Sequence, residues 1–266
     1  MTGMTGMTSA TGMKVAVITG ASAGLGEAFA RQVDAHPAFS EVQEIWLVAR
    51  REARLHALAA ELPSGRGVVI SADLAERTGV EAVLARARSS GARVRLLINN
   101  AGFGLLGRFE GHSAEELGRL LDLNVRAGTL LLHGLVGHMD PGAIVIQVAS
   151  AAAHVPAPYF AAYAASKSYA LALALALREE WRGRISVCAV CPGPVATEFS
   201  AVAGSRESTG ARAEDVVALA LRDALAGRAV SHAGIGPKLV AKLAGVLPRG
   251  LLVRLAGRRN LRRART

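Results

Sequence analysis

A tyrosine and a lysine stand four residues apart at Tyr163 and Lys167, within an alanine-rich stretch that has the periodicity of a helix. Residues i and i+4 share one face of a helix, so the Lys167 ammonium can lie near the phenol hydroxyl or near a group beside it. A tyrosine ordinarily has a pKa of about 10, and a neighbouring positive charge lowers that pKa by favouring the phenolate. Such a tyrosine can exchange a proton with an alcohol or a carbonyl. The same spacing also occurs on amphipathic helices that do no chemistry, so other motifs must decide.

A glycine-rich turn lies near the start of the chain, between a short apolar segment and a helical pattern. Gly20, Gly24 and Gly26 follow the segment "KVAVIT" at residues 14–19. Phosphate groups approach a helix N-terminus closely where side chains are absent, and the free amide donors and the helix dipole there favour an anion. Glycine also serves ordinary tight turns. The position of this cluster, after a strand and at the start of a helix, favours a site for a dinucleotide pyrophosphate.

The second apolar segment ends at Ala49, and two arginines, Arg50 and Arg51, follow it. Sites that prefer NAD commonly carry Asp or Glu about 20 residues beyond the glycines, whereas arginine accommodates the 2′-phosphate of NADP. The sequence therefore predicts NADP(H) as the cofactor. The alternative is that both arginines only solvate the start of the next helix.

The elements that must hold these residues alternate regularly. Apolar segments predict strands at residues 14–19, 44–49, 67–72, 95–99, 143–149 and 184–190, and helical patterns, as at 52–61 and 76–89, separate them. Strands this uniformly apolar are typical of a parallel sheet that is covered on both faces. We therefore expect an α/β fold, with a single Rossmann-type doubly wound parallel sheet and helices on both faces, formed as one domain by residues 13–235.

Seven short motifs follow one another in an order and spacing that resemble the short-chain dehydrogenase/reductase family. They are "TGASAGLG" after the first strand, "ADL" at 72–74, "NNAG" at 99–102, "LN" ending in Asn124, Ser150, the pair Tyr163 and Lys167, and "PGPVAT" at 192–197. The resemblance covers residues 13–200. It implies the nicotinamide-dependent oxidoreductase activity of that family.

The resemblance also implies catalytic roles for four matching residues. Ser150 would hydrogen-bond the substrate oxygen, and Tyr163 would transfer the proton. Lys167 would bind the nicotinamide ribose and lower the Tyr163 pKa, while Asn124 would position a water in the proton relay. Taken singly, Ser150 could instead cap a helix or turn, and Asn124 could satisfy backbone groups within its helix.

A larger set of residues is implied to line the cofactor site. It consists of Gly20, Ser22, Gly24, Leu25, Gly26, Arg50, Arg51, Asp73, Asn100, Ala101, Gly102, Tyr163, Lys167, Pro192, Gly193 and Thr197. Within this set Asp73 would contact the adenine, Arg50 the 2′-phosphate and Thr197 the carboxamide end. The alternative for Asp73 is an N-cap of the helix that follows it.

Substrate choice is expected to depend on the variable loops beyond the strand ends. The stretches "FGLLGRF" after Gly102 and "HVPAPYF" before Tyr163 contain no charged cluster, which favours a largely apolar carbonyl or alcohol as the small-molecule substrate. His154 lies close to Ser150 and could assist, although a lone loop histidine is more often merely exposed. A different class of function is a non-catalytic NADP-binding sensor or scaffold, and the presence of both Tyr163 and Lys167 speaks against it.

Cys188 and Cys191 form a C-x-x-C pattern that could suggest a redox pair or half of a zinc site. They fall in a strand pattern, where positions i and i+3 point to opposite faces. With no second Cys/His cluster evident in the sequence, we expect structural cysteines and no metal.

The first 12 residues contain several methionines and no apolar run, so we expect a disordered leader without a secretory signal, or an uncertain start of translation. No run of 18 apolar residues occurs later. These features favour a cytoplasmic protein.

The net charge of +10 is concentrated in a basic tail at residues 236–266. Nine of the 31 basic residues lie there and no acidic one, which leaves 22 basic against 21 acidic side chains elsewhere. An amphipathic basic helix of this kind can lie on an anionic membrane, or its apolar residues can pack on the domain or on a second subunit. Pro248 is expected to separate a packed first half from a freer second half.

The near-neutral body makes nucleic acid the least favoured partner. We expect a peripheral membrane contact through the tail as one alternative and a homo-oligomer as another.

Overall fold

A seven-stranded parallel sheet forms the centre of the protein. The computed structural model describes residues 12–204 and 210–265. The strands are β1 (Lys14–Thr19), β2 (Glu44–Ala49), β3 (Gly67–Ser71), β4 (Arg93–Asn99), β5 (Ala143–Val148), β6 (Ile185–Val190) and β7 (Val230–Ser231). Their order in the sheet is β3-β2-β1-β4-β5-β6-β7, and every neighbouring pair is parallel.

Helices connect the strands and continue beyond them. They are α1 (Gly24–Ala35), α2 (Glu52–Glu61), α3 (Arg77–Ser90), α4 (Ala114–Leu121), α5 (Gly128–Leu135), α6 (Ala161–Glu180), α7 (Phe199–Val202), α8 (Ala213–Leu225), α9 (Ile235–Ala244) and α10 (Arg249–Arg265). A π-helical segment, Asp122–Ala127, joins α4 to α5 without a break. A short 3₁₀ turn, Ala151–Ala153, follows β5 and precedes the loop that leads to α6.

Alternate residues of each central strand enter two separate cores. In β1, Ile18 packs in the core beneath α1, α2 and α8, whereas Val17 packs in the core beneath α3, α5 and α6. Burial of both faces explains why the central strands read as continuous apolar runs. The predicted α/β fold with helices on both faces is confirmed. The short β7 was not predicted, because a strand of two residues has no periodicity to detect.

The strand order reverses between β1 and β4, because β1 connects to β2 on one side while β4 leads to β5 on the other. In open α/β sheets, ligands bind outside the carboxyl ends of the strands at such a switch point. The glycine turn that follows β1 and the "NNAG" segment at the end of β4 meet at this edge.

The basic tail forms two helices that contact the domain. Pro248 lies between α9 and α10. In α10, Gly257 and Asn260 are buried, and the Asn260 Nδ2 donates a hydrogen bond of 3.0 Å to the Pro158 carbonyl. The expectation of a freer second half is therefore wrong for this part of α10, because two small or polar residues, rather than leucines, allow the helix to approach the loop. Within the described residues, none of the helices has both the length and the apolar character that crossing a bilayer requires.

We predict that Gly26→Ala destabilises the protein although alanine is the better helix former. A Cβ at Gly26 would lie 2.1 Å from the Gly20 carbonyl oxygen, so the turn after β1 must shift. We expect a loss of about 1–3 kcal/mol in the free energy of unfolding. The control is Gly118→Ala in α4, where an added Cβ meets nothing within 4 Å and alanine should stabilise by about 0.5–1 kcal/mol. Urea denaturation measures both, and equal effects of the two variants would contradict the steric argument.

Candidate active site

Tyr163 and Lys167 lie on one face of α6, next to the carboxyl end of β5. Their side chains are buried, with relative exposures of 6% and 5%. The Lys167 Nζ donates a hydrogen bond of 2.9 Å to the Val148 carbonyl and lies 5.8 Å from the centroid of the Tyr163 ring. The i, i+4 spacing thus brings the ammonium beside the ring rather than onto the hydroxyl.

Burial controls the protonation of both groups. It raises the pKa of Tyr163 to about 12, although a hydrogen bond with Ser150 acts in the opposite direction. Burial also lowers the pKa of Lys167 to about 8. The Tyr163 pKa is therefore raised, whereas the sequence analysis expected Lys167 to lower it. The phenol is protonated at neutral pH, which is the form that can donate a proton.

Asn124 lies in the π-helical segment and is buried. Its Nδ2 donates to the Phe103 carbonyl at 2.9 Å and to the Ser166 Oγ at 3.0 Å, and its Oδ1 accepts from the Phe103 N–H at 3.0 Å. Asn124 thus connects the loop after β4 to α6. The π-helical geometry is frequent at functional sites, because the extra residue per turn redirects one side chain.

Ser150 begins the 3₁₀ turn that follows β5. Its Oγ accepts a hydrogen bond of 3.1 Å from the Ala152 N–H, so the predicted capping role is present. Ser150 also lies near enough to Tyr163 to lower the pKa of the phenol, against the larger effect of burial. A cap fixes the orientation of a hydroxyl and leaves lone-pair and donor capacity for a second partner. The capping role and a substrate-binding role are therefore compatible.

The glycine turn leaves the N-terminus of α1 free of covering side chains. Gly20 and Gly24 have φ angles of 69° and 57°, in the left-handed region that favours glycine. Ala23 precedes α1 and provides no side-chain cap, so the first amides of the helix are not satisfied by a cap. Leu25 is partly buried against the core, and Ser22 is held by Arg51. A pyrophosphate fits this turn, because side-chain-free residues surround a helix N-terminus.

Residues beyond β4 and β6 complete the cleft. Asn100, Ala101 and Gly102 follow β4, and an added Cβ on Gly102 would lie 3.3 Å from the Lys167 Nζ. Pro192 and Gly193 follow β6. Thr197 lies across the cleft from the glycine turn, with its Cγ2 at 3.1 Å from where a Gly24 Cβ would stand.

The arginines after β2 differ in their contacts. The Arg50 side chain is 61% exposed, and its Nη1 lies 3.8 Å from the Asp73 carboxylate. Arg51 instead donates to the Ser22 Oγ at 3.1 Å and pairs with Glu198 at 2.8 Å. Asp73 also pairs with Arg119. Arg50 is thus the less constrained of the two arginines at the end of β2.

Asp73 lies in the turn between β3 and α3, where the alternative to an adenine contact was an N-cap of α3. Its Oδ1 accepts from the Ala75 N–H at 3.0 Å, which stabilises the turn before α3, but the N-cap position of this helix is occupied by Glu76, which makes no side-chain capping bond. Asp73 therefore stabilises the turn two residues after itself and does not serve as the helix N-cap.

Two aromatic side chains cover the Tyr163 ring. Phe160 stacks on it with ring centroids 4.3 Å apart, and Phe199 packs at 5.5 Å. Tyr159, next to Phe160, has a φ of 61°, which is strained for a residue with a side chain. The surroundings of the phenol are thus apolar, and part of them is held in an unfavourable backbone conformation.

Sequence reasoning did not assign a role to Thr19, which organises this edge of the sheet. Its Oγ1 accepts hydrogen bonds of 2.9 Å from the N–H groups of both Asn100 and Ala101, and it donates to the Ile98 carbonyl at 3.3 Å. A threonine that ends an apolar strand directly before Gly20 was the available signal. Ser166 was also missed, and its Oγ connects Asn124 to the Tyr163 carbonyl.

Comparison with known proteins decides the family. The model of the family described as short chain dehydrogenase matches residues 14–208. This chain belongs to the short-chain dehydrogenase family. The predicted resemblance is confirmed, and with it a nucleotide-binding oxidoreductase.

Individual members of the family are similar over most of this dehydrogenase. Oxidoreductase UcpA of Salmonella typhimurium is 33% identical over 194 residues, which cover 70% of this chain and 71% of that protein. The 3beta-hydroxysteroid dehydrogenase 1 of Eggerthella lenta is 32% identical over 193 residues, which cover 71% of this chain and 73% of that protein. A solved short-chain dehydrogenase from Sphingobium yanoikuyae in complex with NADPH is 28% identical and has a TM-score of 0.75, over 89% of this chain and 96% of that one.

The expectation that no second Cys/His cluster accompanies the cysteines needs correction. Cys188 and Cys191 are free thiols, and Cys188 is buried in the core beneath α1. Cys191, however, has His154 and His232 as neighbours. Sequence alone did not indicate this because the three residues lie on separate segments of this dehydrogenase.

We predict that Tyr163→Phe lowers turnover at least ~100-fold, because general acid catalysis typically contributes that much or more. The ring and its stacking remain, and only the hydroxyl is lost. The matched control is Tyr169→Phe on the same helix, whose hydroxyl contacts Thr129 instead. NADPH oxidation with a panel of ketones measures turnover, and fluorescence quenching measures cofactor binding. Equal losses in both variants would point to damage of α6 rather than to proton transfer.

Proposed function

We propose that the protein is an NADP(H)-dependent oxidoreductase that acts on a largely apolar carbonyl or alcohol, with Tyr163 as the general acid and base. The observation that carries the proposal is the position of the buried Tyr163 phenol beside Ser150, with Lys167 on the same face of α6, at the edge where β4 and β5 end. A carbonyl oxygen placed between these two hydroxyls would receive two hydrogen bonds. Both would strengthen as negative charge develops on that oxygen.

In the reductive direction, Tyr163 gives its proton to the substrate oxygen while Ser150 donates a hydrogen bond to the same atom. NADPH, held by the glycine turn and the residues after β2, β4 and β6, would supply the hydride. Lys167 holds its charge beside Tyr163 and stabilises the phenolate that remains after proton transfer. Asn124 supports this arrangement through its contacts to Phe103 and Ser166, and we assign to it the orientation of a water that returns the proton.

The preference for NADP(H) is supported by the residues at the end of β2. This strand ends in Ala49 and offers no carboxylate to the ribose hydroxyls, while Arg50 stands mostly exposed at the rim of the cleft. Its ion pair with Asp73 is long, so a phosphate would compete for it readily. The similar Sphingobium yanoikuyae dehydrogenase was solved with NADPH.

The two aromatic rings that pack on Tyr163 support the proposal of an apolar substrate. Phe160 and Phe199 pack on Tyr163, so a substrate that reaches this group must replace aromatic contacts with contacts of its own. An apolar substrate gains the most binding free energy from these contacts, because its own surface is removed from water. The similar protein from Eggerthella lenta is named for a steroid substrate, which is of this chemical class.

We predict that NADPH binds more tightly than NADH, and that Arg50→Ala weakens NADPH binding at least about tenfold while leaving NADH binding unchanged. A charge-assisted hydrogen bond to phosphate contributes about 1.5–3 kcal/mol, and only NADPH carries the 2′-phosphate. The matched control is Arg182→Ala, an exposed arginine that pairs with Glu179 at the end of α6. Titration gives the dissociation constants of NADPH and NADH for the wild type and for both variants. Turnover rates with ketones of increasing chain length are measured for the same three proteins. Equal affinity of the wild type for the two cofactors would refute the preference.

We also propose that the basic tail contacts an anionic membrane surface, whereas a homo-oligomer stays a prediction. Large apolar side chains are exposed along α9 and α10, as at Leu239, Leu251 and Leu255, and Val246 between the helices is 82% exposed. Exposed basic residues accompany them along the same two helices. Apolar insertion and charge attraction act together on such a surface.

We predict that Arg254→Glu combined with Arg258→Glu reduces binding to anionic vesicles roughly tenfold or more, since each basic residue near such a surface contributes about 1 kcal/mol. The control with the same change in net charge combines Arg88→Glu and Arg182→Glu, which are exposed on the body. Co-sedimentation with phosphatidylserine-containing and with neutral vesicles at low salt measures binding of the full chain. Equal binding of the two double variants, or no binding by the wild type, would exclude the tail as a membrane contact.

A further inference from the structure

Two histidines and a cysteine gather beside the candidate active site. The ligand-capable atoms of His154, Cys191 and His232 all lie within 4.8 Å of one another. The Nε2 atoms of the two histidines are 3.3 Å apart, and their rings stack with centroids separated by 5.3 Å. It is the one group of three such side chains found among residues 12–204 and 210–265.

The sheet topology explains why these residues meet. Cys191 follows β6 directly, His232 follows β7 directly, and His154 ends the 3₁₀ turn after β5. These three strands are neighbours, so their carboxyl ends lie side by side. Backbone hydrogen bonds of 2.8 Å, from Cys191 N–H to the Ser231 carbonyl and from Ala151 N–H to the Pro192 carbonyl, hold the three segments together.

The spacing of the two histidine nitrogens matches a tetrahedral metal centre, and the Cys191 sulfur lies within 4.8 Å of both. With Zn–N distances of about 2.0–2.1 Å and Zn–S of about 2.3 Å, tetrahedral ligand atoms lie about 3.3 Å apart for two nitrogens and about 3.6 Å for nitrogen and sulfur. The observed separation of the two histidine nitrogens already has the first value. It is longer than the usual distance of about 2.9–3.0 Å for a hydrogen bond donated by nitrogen.

We infer that His154, Cys191 and His232 form a binding site for a borderline-soft transition-metal ion of the Zn²⁺ class. Imidazole and thiolate ligands select Zn²⁺ and its analogue Co²⁺ over Mg²⁺ and Ca²⁺, which require oxygen ligands. Three protein ligands leave the fourth position for water. On binding, the Cys191 thiol releases its proton to solvent and the thiolate ligates the metal.

The surroundings provide access to this site. His154 lines a cleft of about 150 Å³ between its own loop and the tail helices, together with Pro156, Arg249 and Leu252. The cleft gives a metal ion a route to the histidine side of the site. On the other side, the Cys191 sulfur lies near the backbone of Ser150, so one ligand is also next to the segment that begins the active-site turn.

The test is a titration of the untagged, chelator-treated, reduced full chain with Co²⁺ and then Zn²⁺. We expect one equivalent of Co²⁺ to give the intense visible bands of a four-coordinate ion and a near-ultraviolet band of thiolate-to-cobalt charge transfer. Zn²⁺ should abolish both by displacement and should raise the melting temperature, because a ligand that binds only the native state stabilises it. Neither readout depends on cofactor or turnover, so failure of the metal site and failure of the proposed function are distinguishable.

Matched variants locate the site. Cys191→Ala should remove the charge-transfer band, and His154→Gln and His232→Gln should each weaken Co²⁺ binding by about 100-fold or more, above the effect of losing an outer-shell partner. The controls are Cys188→Ala and His133→Gln, which leave the cluster intact and should bind as the wild type. Melting curves without metal establish that each variant is folded. The proposal is overturned if the wild type shows no charge-transfer band, or if the band survives in Cys191→Ala and disappears in Cys188→Ala.

Discussion

The hydroxyl of Thr19 is the contact on which the arrangement of the cleft depends. It accepts from two successive backbone amides after β4, and so joins the end of β1 to the end of its neighbour. The glycine turn follows β1 and the "NNAG" segment follows β4, so both begin at this point. Without a shared acceptor, the partly buried amides of Asn100 and Ala101 would each lose their protein partner, at a cost of up to about 1–3 kcal/mol apiece. One side chain thus positions both walls of the cleft.

Burial acts on the catalytic pair in a direction that charge pairing alone does not predict. A low-dielectric environment disfavours any charged form, so it raises the Tyr163 pKa to about 12 and lowers the Lys167 pKa to about 8. The i, i+4 spacing suggested an activated phenolate, whereas the structure has a neutral phenol beside an ammonium that is held by the Val148 carbonyl. A neutral phenol suits proton donation to a carbonyl. The reverse reaction requires that the charge of the phenolate be balanced within the same buried space.

Sequence reasoning predicted the features that depend on local pattern. The strands and the pair Tyr163 and Lys167 were predictable because burial of both sheet faces imposes apolar runs and because helix periodicity sets which residues meet. The meeting of His154, Cys191 and His232 was not, since it depends on which strand ends lie side by side, and β7 is too short to detect. The docking of α10 was also hidden, because a buried glycine and asparagine give no amphipathic signal.

The segment from Ser150 to Phe160 connects the candidate active site, the histidine cluster and the tail helix α10, which are far apart in the sequence. It begins with a hydroxyl that lies near Tyr163, continues through His154, contacts α10 at Pro158 and ends with the ring that stacks on Tyr163. Its backbone is strained at Tyr159, and strained residues persist only where surrounding contacts hold them. The tail helix and the histidine cluster are two of those contacts. Contacts of α10 at Pro158 and of His232 at His154 therefore bear on the same segment that carries Ser150 and Phe160.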